Sequence, residues 1–140
     1  MRVGLDTSVV VRLLTGQPPA QAVKAVALLD ELRRGGHRPV VSDLVVAEAY
    51  FALQHHYGVR KADALDALRE MFDAGEIEAA GAADAVLNTP GLATAKPGFV
   101  DRLIHAGYSA AGGRMATFER ASTRLGPVIV VGGRARERTP

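Results

Sequence analysis

Four carboxylates in this chain sit where acidic residues are not expected. Asp6 interrupts the apolar stretch MRVGLDTSVVVRLL, and two hydroxyl residues, Thr7 and Ser8, follow it. Glu48 lies in VSDLVVAEAYFAL and at helical spacing shares a face with Leu44, Val45, Phe51 and Ala52. Asp101, in GFVDRLIHAGY, shares a face with Ile104 and Tyr108. Glu119 follows a short apolar run in RMATFERAS. Carboxylates are rarely buried without a partner, and several brought together repel one another unless a cation sits between them. A hard divalent ion with oxygen ligands, Mg²⁺ or Mn²⁺, meets that need. Each residue also has a plainer reading. Asp6 can cap a helix, Asp101 and Glu119 can be favourable charges near helix N-termini, and Glu48 can reach out from the edge of a core.

The elements that must position these residues alternate along the chain. RVGLD reads as a short buried strand ending at Asp6, and TSVVVRLLTG as a helix stopped by Gly16. PPAQAVKAVALLDELRRGG is an amphipathic helix introduced by Pro18 and Pro19, and RPVVS is a second strand. DLVVAEAYFALQHHYG is helical, with Ser42 or Asp43 as its N-cap and Gly58 as its C-cap. RKADALDALREMFDAG is another amphipathic helix, and EIEAA a third strand. ADAVLNTPGLATAKPG holds a short helix and then a loop, and FVDRLIHAGYSAAGG is helical. RMATF is a strand, ERASTRLG a helical turn and PVIVV a last strand. The pattern predicts an α/β fold, a three-layer α/β/α sandwich with a mainly parallel, about five-stranded sheet. In such folds the ligand crevice forms at the strand C-terminal ends, where Asp6 lies. Residues 1–131 are expected to form a single domain and 132–140 a polar, mobile tail.

Composition narrows the classes. The chain has 140 residues, 48% of them hydrophobic, enough for one core. No apolar run approaches the roughly 18 residues of a membrane span, and Asp6 and Arg12 break up any signal-peptide core. Cysteine is absent, which excludes thiolate sites and disulfides and fits a cytoplasmic protein. Residues 1–95 carry 9 Lys/Arg against 12 Asp/Glu, whereas residues 96–140 carry 8 against 3. That asymmetry points towards a polyanionic partner, and 14 of the 17 basic residues are Arg, whose planar fork suits phosphate. A GC-rich coding sequence explains the Arg content equally well.

LDTSVVVRLL, VVSDLVVAEAYFAL, GFVDRLIHAGYSAAGGRMATFERAS and GPVIVV, in that order, resemble the successive motifs of PIN-domain ribonucleases, and most of all VapC-type toxins of bacterial toxin–antitoxin systems. The resemblance covers nearly the whole chain. It implies a PIN-like fold and a Mg²⁺- or Mn²⁺-dependent ribonuclease, with Asp6, Glu48, Asp101 and Glu119 as catalytic and metal-binding residues. The family's Thr-Phe-Asp segment reads Thr117-Phe118-Glu119 here, so Glu119 is a departure, one methylene longer. Thr7, Ser8 and Thr117 would hydrogen-bond the ligands or their waters. The resemblance further implies a homodimer, a cognate VapB-type antitoxin that blocks the acidic pocket, and a structured substrate such as transfer or ribosomal RNA.

An acidic pocket needs basic residues on its rim to hold a polyanion, and Arg102, Arg114, Arg120, Arg124 and the tail residues Arg134, Arg136 and Arg138 are the candidates, beside the reading that they are ordinary surface arginines. Phe51, Phe72, Phe99 and Phe118 read as core, so recognition through the RNA backbone is expected rather than base stacking. His37, His55, His56 and His105 offer a general acid, although His55 and His56 fit better as a helix-end charge. The apolar faces of the helices near 20–34 and 44–73 predict a dimer contact or an antitoxin groove, unless they are all internal core. A phosphoaspartate hydrolase would place a second Asp two residues after the first, where Ser8 stands, and a receiver domain would want an adjacent acidic pair after the first strand and a Lys after the last, which LDTS and VIVVGG do not supply. The remaining rival is a catalytically degenerate PIN-like module that binds RNA or protein without cleaving it.

Overall fold

A computed structural model describes residues 1–132. The chain forms two compact units, residues 1–88 and residues 89 onwards. The expected tail, with Arg134, Arg136 and Arg138, lies outside the described residues except for Gly132.

The first unit alternates strands and helix pairs: β1 (Arg2–Gly4), α1 (Thr7–Thr15), α2 (Pro19–Arg34), β2 (Arg38–Val41), α3 (Asp43–His55), α4 (Lys61–Asp73), β3 (Glu78–Ala79) and α5 (Ala83–Leu87). The strands pair in the order β1-β2-β3, all parallel, with Val3 opposite Pro39 and Val41 opposite Ala79. Two-helix crossovers separate the strands, as parallel pairing requires. Local chemistry sets the helix ends. Gly16 closes α1 in a left-handed conformation, and its N–H donates to the Arg12 carbonyl at 2.9 Å. Pro19, without an N–H to leave unpaired, starts α2. Ser42 caps α3 by accepting from the Val45 N–H at 3.2 Å. The neighbouring Asp43 instead reaches α5, accepting from Ala82 N at 3.2 Å and Ala83 N at 3.0 Å. Leu5, Val10, Val41, Val46, Leu53, Leu68 and Phe72 are buried core residues of this unit.

The second unit holds a 3-10 turn (Leu92–Thr94), α6 (Phe99–Ala110), β4 (Met115–Thr117), a 3-10 helix (Arg120–Leu125) and β5 (Val128–Val130). β4 and β5 pair in parallel, Met115 opposite Val128 and Thr117 opposite Val130. Met115, Val128 and Val130 form a small buried cluster.

Every expected strand and helix is present, and the α/β class with parallel pairing and an α/β/α make-up holds. The expectation of one sheet of about five strands is corrected: the five strands form a sheet of three and a sheet of two. Strands of two to four residues make few ladder hydrogen bonds, and the division falls between the two units.

Candidate active site

β1 ends at the buried Leu5, and the chain turns at Asp6, whose extended backbone makes it the N-cap of α1. Asp6 Oδ1 accepts from the Thr7 N–H at 2.8 Å, so the capping reading of Asp6 is realised. Capping uses Oδ1, and Oδ2 makes no hydrogen bond among the described residues. Thr7, the first residue of α1, donates from its hydroxyl to Glu48 Oε1 at 2.9 Å. That bond ties residues 41 positions apart. It forms because α1 follows β1 and α3 follows β2, so adjacent parallel strands deliver both helix starts to the same edge. Asp6 and Glu48 are both exposed at this edge.

The environment of Glu48 differs from the expected core stripe. α3 buries Val46, Ala49, Tyr50 and Leu53, while Leu44 is 72% and Phe51 45% exposed on the face that carries Glu48. α3 is apolar on both sides, so periodicity alone could not assign its core face. Phe51 stacks on His55, with ring centroids 6.2 Å apart.

In the second unit, Asp101 is the third residue of α6 and is exposed, and so are Ile104 and Tyr108 on its face. The helix buries Phe99 and Leu103 instead. Glu119 directly precedes the 3-10 helix, is exposed, and donates its backbone N–H to Thr117 Oγ1 at 3.0 Å. This hydroxyl turn fixes how the chain leaves β4. Phe118 beside it is 79% exposed. Phe72 and Phe99 are core as expected, whereas Phe51 and Phe118 are exposed, which corrects the reading of all four phenylalanines as core.

Among the described residues, neither unit gathers three or more Asp, Glu or His side chains into a group able to hold a metal ion. The donor chemistry of each unit nevertheless suits a hard divalent cation: Asp6 and Glu48 in the first and Asp101 and Glu119 in the second offer oxygen alone, and the chain has no thiolate to compete.

The four arginines offered for RNA differ in their engagement. Arg102 donates from Nε to the Pro97 carbonyl at 2.8 Å and Arg124 from Nη1 to the Lys96 carbonyl at 3.2 Å, so both brace the loop ahead of α6. Arg114 and Arg120 are exposed. Sequence reasoning passed over Arg12 and Lys24, which line a groove that begins at Ser8. The available signal was the spacing of Ser8 and Arg12, one helical turn apart.

The family model of the PIN domain matches residues 3–120, and the chain belongs to the PIN-domain family. No curated protein and no solved structure matches it. PIN domains are generally nucleases and typically use divalent metal ions, so this chain carries a nuclease-type fold suited to phosphodiester hydrolysis. No helix among the described residues is long and apolar enough to cross a membrane.

Proposed function

We propose that this protein is a Mg²⁺- or Mn²⁺-dependent ribonuclease of the VapC type, the toxin of a toxin–antitoxin pair, held inactive by a cognate VapB-type antitoxin. The observation that carries the reading is the hydroxyl link from Thr7 to Glu48 beside Asp6, inside a chain that the PIN model matches over residues 3–120. The acidic set of the proposal is Asp6, Glu48, Asp101 and Glu119, with Thr7, Ser8 and Thr117 in support. When bound, the ion supplies a water of lowered pKa and offsets charge developing on the phosphate. The residues do the positioning. Thr7 occupies Oε1 of Glu48, which leaves Oε2 to orient the attacking water. That water attacks phosphorus as the bond to the leaving oxygen breaks, its proton passing to solvent and a solvent proton completing the leaving hydroxyl. Arg114 and Arg120 are exposed and suited to backbone phosphate, with Arg102 and Arg124 contributing the donors that they do not spend on the loop. Transfer or ribosomal RNA is the proposed substrate class and the cytoplasm the proposed compartment. Exposed Val23 and Val26 on α2, and Leu44 and Phe51 on α3, support a homodimer and an antitoxin contact.

A second reading, a catalytically degenerate PIN module that binds RNA or protein, is favoured by one observation: Glu119 stands where the family's segment has Asp. Metal dependence separates the two. The nuclease cleaves RNA in Mg²⁺ or Mn²⁺ and stops in EDTA, read as products on a denaturing gel. An unchanged RNA population in every metal, with RNA still bound, would reject the nuclease.

A further inference from the structure

Helices α1 and α2 pack together and leave a groove of about 260 Å³ whose lining includes Ser8, Val9, Arg12, Gln21, Lys24 and Leu28. Two of its lining residues are cationic and none is acidic. The groove begins two residues from Asp6. Arg12 lies four residues beyond Ser8, on the same side of α1 and about 6 Å further along its axis.

Arg12 is half-buried and held in place, for its Nε donates to Gln21 Oε1 at 2.8 Å. That bond orients the guanidinium plane and leaves both terminal nitrogens without a partner among the described residues. Five of the seven arginines in this unit, Arg2, Arg33, Arg38, Arg60 and Arg69, lie within 4 Å of a carboxylate, and Arg34 donates from Nε to the Asp30 carbonyl at 3.3 Å. Arg12 and Lys24 have no such partner among the described residues. A pre-oriented guanidinium and an ammonium in an acid-free groove attract an anion.

We propose that Arg12 and Lys24 bind consecutive backbone phosphates of the substrate strand beside the scissile bond, Arg12 through its terminal fork and Lys24 as a point charge. The proposal rests on the nuclease reading and assigns the substrate track of that same site. It explains how an acidic edge holds a polyanion: the cations stand in a groove whose lining includes Ser8, two residues from Asp6, and no carboxylate.

The test measures the salt dependence of binding to end-labelled bulk transfer RNA by anisotropy, in Mg²⁺ and in an Asp6→Asn background that retains the helix cap. Each lost phosphate contact lowers the slope of log affinity against log salt by about 0.7 to 0.9. Arg12→Gln and Lys24→Gln should each lower it by that amount, with Arg12→Gln about tenfold weaker in affinity at fixed salt. Arg12→Lys should keep the slope, and Lys61→Gln, outside the groove, should match the parent. Lys24→Gln breaks no internal hydrogen bond, so it decides the matter should Arg12→Gln fail to fold. Slopes unchanged in both Gln variants, in a protein whose wild type cleaves RNA, would overturn the groove and leave the nuclease standing. A wild type that neither binds nor cleaves RNA would overturn both.

Discussion

Asp6, Thr7 and Glu48 form a chain of two hydrogen bonds at the start of α1. Asp6 spends one carboxylate oxygen on the Thr7 N–H, and Thr7 spends its hydroxyl on Glu48. The cap therefore holds Asp6 at the start of α1, and the hydroxyl orients Glu48. Asn caps a helix about as well as Asp, so Asp6→Asn removes the charge with little cost to the fold. Thr7→Val keeps the shape and deletes the hydroxyl. It should cost about 1 kcal/mol of stability, measured by urea unfolding, because the bond is exposed. Its effect on RNA cleavage should be larger, on the order of tenfold in kcat, because Glu48 loses its orientation. Thr7→Ser should restore most of the rate. If Thr7→Val cleaves at the wild-type rate, the hydroxyl link has no part in positioning Glu48.

At the scale of elements, a polar clamp joins helix starts in the first unit. Asp43 accepts from Ala82 and Ala83, and Gly81 lets it come close: a Cβ there would stand 2.6 Å from both carboxylate oxygens. Gly81→Ala should therefore displace Asp43, break both bonds and lower the unfolding free energy by about 1–3 kcal/mol, read from the urea midpoint. A wild-type midpoint would show that the clamp carries no load. The order of these elements was legible from the sequence because caps and breakers mark their ends: Asp6 and Gly16 for α1, Pro19 for α2, Ser42 for α3. The faces were less legible. α3 and α6 have apolar residues on two sides, and only packing decides that Val46 and Leu103 are buried while Leu44 and Ile104 are exposed. The site shared that limit. The acidic residues stood out by type, but the Thr7–Glu48 bond and the Arg12–Lys24 groove depend on which helices meet.

Across the whole molecule, one family model runs through both compact units, and Asp6, Glu48, Asp101 and Glu119 all fall inside the matched residues 3–120. Exposed valines on α2 and the Leu44–Phe51 face of α3 are apolar surface of the kind that association covers. Light scattering on the purified protein should give the mass of a dimer, and a monomer at high concentration would contradict it. The central claim is that Asp6 directs metal-dependent cleavage of RNA phosphodiester bonds. Sequencing the RNA ends produced by the purified protein in Mg²⁺ or Mn²⁺, beside Asp6→Asn, tests it most directly. Discrete new ends from the wild type that vanish with Asp6→Asn are the predicted result. No new ends, or the same ends from both proteins, would contradict it.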